Sequence, residues 1–485
     1  MKRLIAVLLF ATSLLAQQVT PPAPSAPREA KIPQPVEKTL GNGLRVIVVP
    51  KHDVPLVASR LMFRTGAAAD PRGKAGVAAL TATVLTQGTK TRTAEEIARG
   101  VEALGATLSA GALWDATSID VSVMSQNLPK AMEYVADVAR NATFAKAEFE
   151  REQAQTIDAL QVEMGQPSSV ANMVAARLIF GDNPYGNSLP GTPASVEKIR
   201  REDLVAFHKQ HYRPDNAVLL LAGDVKAEEA FALAERVFGN WVSGVRSQVS
   251  GAPRPGDTPQ TPDTRHPRVV IVDMPESGQS AVIVGRTGIR RADSAYMQAL
   301  VANSVLGGGY SSRLNQEIRI ERGLSYGAGS SFAPRAAVGP FTARTETKHE
   351  SAAEVVGIIT SELRRLSAED VPEAELTPRK AALVGEFAQS LETSSGIVDQ
   401  VSALALHNLP LTEINRYISG VQNVTAAQLR QFASAKLAGD ANVVIVGDAK
   451  QFEPALRKQF DEVEVIPLAE LDVASPTLRV RKAKE

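Results

Sequence analysis

Residues 217–224 read AVLLLAGD, and residues 441–448 read ANVVIVGD. Each is an apolar run ending on Gly-Asp, the pattern of a buried strand closed by a turn. The sequence around them matches as well. Residues 204–207 (LVAF) precede the first run and residues 429–432 (LRQF) precede the second. Further upstream, residues 44–50 (LRVIVVP) have a counterpart at 268–275 (RVVIVDMP), both rich in β-branched residues. Residues 61–66 (LMFRTG) and 282–288 (VIVGRTG) each read as a strand closing on Arg-Thr-Gly. Helical patterns follow at 75–85 before Gly88 and at 295–306 before Gly307. The offset between halves is 222 for Arg64 and Arg286, 225 for Leu204 and Leu429, and 224 for Asp224 and Asp448. An offset this steady identifies a tandem duplication of one α/β unit of roughly 200–220 residues, a size that suits one large domain.

Inside the first unit, Ile97, Val101 and Leu104 share one face of a helix predicted over 94–104. Residues 108–123 read as two strands, the second with Ile119, Val121 and Val123 in alternation. Long helices are expected at 128–140 and 147–164. Strand pairs followed by helices predict an α+β sandwich, an antiparallel-rich sheet with helices on one face, in preference to a doubly wound parallel sheet.

The chain has 485 residues, 44% hydrophobic and 22% charged, the composition of a core-forming protein. Fifty-three basic residues balance fifty-three acidic ones, so no global field draws it to nucleic acid. Cysteine is absent, which excludes disulfides, thiolate ligands and a lipidated N-terminus. Met1-Lys2-Arg3 followed by an apolar run over 4–16 reads as a secretory signal, with cleavage expected after Ala16. Thirteen residues are too few to span a bilayer of about 30 Å as a helix, and no other run is long enough, so no transmembrane anchor is expected. Export to a periplasm, or secretion beyond it, is the expectation. Residues 17–36 form a proline-rich arm and 251–267 a proline-rich linker. These divide the chain into domains at 37–250 and 268–475, with a tail at 476–485 whose basic stretch 479–484 reads as a solvated end.

Residues 76–89 (GVAALTATVLTQGT) resemble the segment around the inverted zinc motif of the insulinase/pitrilysin-type metallopeptidases, the family of the mitochondrial processing peptidase. The usual pattern is G-x-A-H-F-L-E-H-M-x-F-x-G-T. The glycine, alanine and threonine frame is kept, but the H-x-x-E-H positions fall on Ala79, Ala82 and Thr83. Phe149-Glu150-Arg151-Glu152 resembles the start of the segment that carries the third ligand, whose position falls on Ala159. Asp158 and Glu163 lie near that position without matching it. Residues 41–44 (GNGL), 212–216 (YRPDN) and the tandem halves extend the resemblance over residues 37–475. It implies two homologous domains of the metallopeptidase LuxS/processing-peptidase-like type. A zinc site of this kind needs two imidazoles, a carboxylate and a general base, which alanine and threonine cannot supply. His208 and His211, three apart at a helix end, lack a third partner, and the other four histidines are isolated. No metal or other cofactor is expected in this chain.

A second segment is retained. Residues 316–326 (QEIRIERGLSY) resemble the family's L-R-E-x-x-G-L-x-Y pattern, whose arginine and tyrosine face the zinc across the substrate chamber. Carried onto this chain they are Arg319 and Tyr326. A guanidinium can hold a substrate carbonyl, and a phenol can donate to the oxyanion of a tetrahedral intermediate. The preceding Gly307-Gly308-Gly309 permits close backbone approach. The resemblance implies the non-catalytic subunit of a two-chain peptidase. Its partner would be a homologous zinc-bearing chain, and its substrates extended peptides. The alternative is a scaffold or peptide-binding protein of the same fold with no role in hydrolysis.

Overall fold

The computed structural model describes residues 34–242 and 267–480. The expected signal, the arm up to residue 33, the linker up to residue 266 and the last five residues lie outside the described residues. Each half builds one six-stranded sheet. The first contains β1 (Val36–Thr39), β2 (Arg45–Pro50), β3 (Leu56–Phe63), β4 (Thr107–Ala112), β5 (Thr117–Met124) and β6 (Ala217–Gly223). The second contains β7 (Val269–Asp273), β8 (Ser280–Thr287), β9 (Ala328–Phe332), β10 (Pro340–Thr347), β11 (Asn442–Gly447) and β12 (Glu464–Pro467). The spatial orders are β1-β2-β6-β3-β5-β4 and β12-β7-β11-β8-β10-β9. The corresponding pairs β2–β6 and β7–β11 are parallel, whereas β3–β5, β3–β6, β8–β10 and β8–β11 are antiparallel. One edge position is filled differently in the two halves. The N-terminal β1 runs antiparallel to β2, and the C-terminal β12 runs parallel to β7.

The apolar run that announces the duplication becomes β6, buried at every residue. Ala217, Leu219 and Leu221 enter the core beneath their own half's helices, while Val218, Leu220 and Ala222 point the other way. A strand period of two makes this division automatic, so a continuously apolar strand demands cover on both faces. In the first half α1 (Val77–Leu85) and α3 (Leu128–Asn141) contribute Leu80, Val84, Met132 and Val135 to one of those cores; α2 (Ala94–Glu102) adds Ile97, and α4 (Lys146–Met164) adds Phe149 and Leu160.

The opposite face is covered from the other half. Ile397, Val398, Val401 and Leu404 of the helix Ser394–Leu406, with Phe387, pack on Ile47, Met62, Val218 and Leu220. The exchange is reciprocal. From the first half, α5 (Pro167–Phe180) places Val170, Ala171 and Val174 against Val270, Val272, Ile283 and Val444 of the second sheet. The helices of each unit thus lie on one face of their own sheet, and one helix from each unit covers the outer face of the other's. Arg177 of α5 is buried and bonds to the carbonyls of Val473 and Gly181 at 2.9 and 2.7 Å. At the same seam the Arg335 guanidinium lies 4.4 Å from the ring centre of Trp114 and 4.5 Å from that of Tyr185. The described residues of both halves belong to one compact unit.

Two local differences from the sequence reading have simple causes. The strand expected at 61–66 begins at Leu56 and stops at Phe63. It stops there because both neighbouring strands end opposite it: Phe63 pairs with Thr117, the first residue of β5, and with Ala217, the first of β6. The expected tail is also not free at its start. Leu478 is buried, and Arg479 pairs with Glu470 at 2.9 Å and Glu464 at 3.3 Å.

Candidate functional site

The helix bearing the degenerate zinc positions is set by a cap. Asp70 accepts hydrogen bonds from the backbone N–H groups of Gly76 and Ala78 at 2.7 and 2.8 Å. Burial pushes its carboxyl up to about 7, although the backbone donors at the helix start pull it down. Gly76 has φ +105°, and a Cβ there would lie 2.5 Å from the Pro190 carbonyl oxygen. The glycine retained from the family frame therefore serves the backbone. It reports nothing about zinc.

From this start α1 presents Ala79 half-buried, Ala82 buried and Thr83 exposed. The Thr83 hydroxyl donates to the Ala79 carbonyl at 3.1 Å, closing on its own helix. Helix α4 packs on α1 and carries Ala159 on its exposed side. The fold thus brings together the two helices that hold the ligand positions, and places on them methyl groups and one self-bonded hydroxyl. Among the described residues no group of three His, Cys, Asp or Glu side chains converges to hold a metal. These residues do not fit a zinc ion. The nearby Glu152 is buried and pairs with Arg151 at 2.8 Å. Asp158 and Glu163 are exposed on α4.

The histidines are in structural settings. His208 Nε2 bonds to the Ala139 carbonyl at 2.9 Å, and its ring lies 4.7 Å from that of Tyr212. The His211 ring packs 4.5 Å from Phe207. Burial lowers the pKa of both, that of His211 to about 4 with help from neighbouring Arg213.

The second predicted element lies in the other half. Arg319 occupies a π-helical turn, Gln316–Glu321, a local widening that re-aims side chains. Its guanidinium lies 4.9 Å from the ring centre of Tyr310, a residue the sequence reading did not single out. Both side chains are exposed. Tyr326 follows the turn and is 88% exposed. It borders a cleft of about 460 Å³ beside β8, β9 and β10. Among the described residues no hydrogen bond or ring contact joins Arg319 to Tyr326. The two share one connecting segment, with Arg319 engaged by Tyr310 and Tyr326 open to solvent.

That segment is firmly anchored. Arg313, buried at its start, makes a bidentate pair with Glu375, both bonds at 2.8 Å. Asn315 accepts from the Ala328 N–H at 3.2 Å and donates to the Tyr310 carbonyl. Gly307 permits the close approach expected of it, since a Cβ there would meet the Ser330 nitrogen at 2.3 Å. Nothing in the short polar stretch around Arg313 signals in sequence its partly buried partner 62 residues away.

Comparison with known proteins gives a consistent picture. The family described as Insulinase (Peptidase family M16) matches residues 45–193, and the one described as Peptidase M16 inactive domain matches residues 198–383. An uncharacterized zinc protease of Rickettsia bellii is 26% identical over 416 residues, covering 84% of this chain and 96% of that protein. One from Mycobacterium tuberculosis is 28% identical over 426 residues, covering 88% and 95%. Among solved structures, a peptidase M16 inactive domain from Pseudomonas fluorescens is similar with TM-score 0.78 and 27% identity, covering 85% of this chain and 98% of that one. A protease from Helicobacter pylori has TM-score 0.79 at 20% identity, covering 85% and 99%.

Proposed function

This chain belongs to the insulinase-like M16 peptidase family, and we propose that within it the chain is an exported, non-catalytic subunit of a two-chain zinc peptidase. The carrying observation is the contrast between two elements. The helices at the zinc positions offer Ala79, Ala82, Thr83 and Ala159, whereas Tyr326 stands open beside a cleft. A homologous partner brings the zinc and its activated water. Arg319 holds a carbonyl of an extended peptide, and the Tyr326 hydroxyl donates to the oxygen that becomes negative as water adds to the scissile carbon. In this arrangement the chain supplies part of the chamber wall and half of the transition-state contacts.

The test is metal analysis and a peptidase assay on the mature chain, alone and mixed with a homologue bearing an intact H-x-x-E-H. The expected result is no stoichiometric zinc and no cleavage alone, with cleavage rising steeply on mixing. Tyr326→Phe should then lower turnover of the pair by about 10²–10³-fold, the usual loss of one oxyanion donor. Chelator-sensitive cleavage by this chain alone would overturn the reading. A stable complex without cleavage would favour a scaffold instead, a role that the edge strand β4 also suits.

A further inference from the structure

The cleft beside Tyr326 lies between α5 and the second sheet. Ser168 and Asn172 of α5 line it, together with Gly329 of β9 and Arg344 and Glu346 of β10. Arg344 stands opposite Ile283 on β8 and Gly329 on β9, and Glu346 stands opposite Ala281. Arg344 and Glu346 are alternate residues on one strand, so they project to the same face. Both are exposed, and among the described residues neither side chain has an ion-pair or hydrogen-bond partner.

The first sheet treats the corresponding place differently. Strands β3 and β5 set Arg60 opposite Asp120, and the guanidinium bonds to Asp120 at 2.5 Å. The covering helix Ser394–Leu406 adds Asp399 at 2.8 Å and Ser402 at 2.9 Å to the same guanidinium. There the charges are used to dock the exchanged helix. In the second sheet α5 brings only Ser168 and Asn172 to the cleft, and both charges stay open.

We propose that this cleft reads charge on an extended peptide, with Arg344 taking an acidic side chain and Glu346 a basic one two residues along. Alternate residues of an extended chain share a face and are spaced about 6.6–6.8 Å apart, as Arg344 and Glu346 are spaced on their own strand. A volume of about 460 Å³ admits side chains of that size. The inference rests on the reading that extended peptides reach Tyr326, and it names the chemistry of those peptides. Each exposed charge pair should change affinity modestly, by about two- to five-fold at low salt.

The experiment is fluorescence anisotropy on the purified chain without any partner, using labelled decapeptides of Gly, Ser and Gln. Each peptide carries one central pair, Asp-x-Lys, Asp-x-Asp, Lys-x-Lys or Gln-x-Gln. The native cleft should prefer Asp-x-Lys. Arg344→Glu, which leaves two carboxylates, should shift the preference to Lys-x-Lys. Glu346→Arg, which leaves two cations, should shift it to Asp-x-Asp. Both residues are on the surface, so an unchanged Tm serves as the control for folding. Absence of peptide binding, or a preference that neither substitution moves, overturns the inference. Because no hydrolysis is measured, its failure is distinct from that of the half-site. Charge preference that follows the substitutions, without turnover in the mixed pair, would keep the cleft and discard the half-site.

Discussion

At the scale of single residues, the buried ionisable groups set how stability should change with pH. His211 and His407 have pKa values pushed down to about 4 by burial, and burial also lowers that of His208. An imidazole kept neutral in the folded chain but titrating near 6.5 when unfolded stabilises the fold above pH 6.5. That contribution falls away as pH drops towards 4, because the unfolded chain binds the extra protons. Asp70 acts in the opposite sense. With its carboxyl pushed up to about 7 from the ordinary 3.8, it favours the folded chain as pH falls through that interval. Three histidines against one carboxyl predict a Tm lower at pH 5 than at pH 7. Asp70→Asn, which removes the opposing group, should steepen the decline. A Tm that rises on acidification would contradict this balance. The sequence reads the histidines at 208 and 211 as a pair lacking a third ligand, and their surroundings, ring packing and a bond to Ala139, required the fold.

At the scale of elements, the exchanged helices carry most of what the sequence did not declare. Helix α5 is apolar around much of its circumference, with Val170, Ala171, Met173, Val174 and Ile179 all buried. A helix of this kind has no solvent stripe to mark one core-facing side, so periodicity does not say which sheet it covers. The helix Ser394–Leu406 presents the same difficulty. Helices such as α2, with Ile97 and Val101 on one face and a Thr93–Glu96 capping box at its start, were readable to within two residues. Burial of Ile397 against the first sheet makes it a test of the exchange. Ile397→Ala should cost about 2–5 kcal/mol, the range for deleting a buried aliphatic side chain. Denaturant unfolding monitored at Trp114 and Trp241, both in the first half, should show the loss although the substitution lies in the second. An unchanged midpoint would mean that Ile397 does not support that sheet.

At the scale of the whole molecule, two outer faces closed by reciprocal cover make the halves one folding unit. A chain ending before the linker would expose Ile47, Val49, Met62, Val218 and Leu220 to water, and each such side chain is worth about 1.5–3 kcal/mol when buried. Residues 34–242 produced alone should therefore aggregate or remain unfolded, and co-expression with residues 267–480 should restore a soluble complex. A stable, monomeric first half would refute this dependence. The sequence by itself determined the duplication, the two sheets and which residue types stand at the zinc positions, because strand periodicity, a constant offset and side-chain type are local properties. Only the tertiary structure decided which helix covers which sheet, that Arg319 rests on Tyr310, and that Arg344 and Glu346 stand open while Arg60 and Asp120 are paired. Those outcomes depend on contacts between residues from nine to hundreds of positions apart, where many arrangements satisfy the same local pattern and packing selects one.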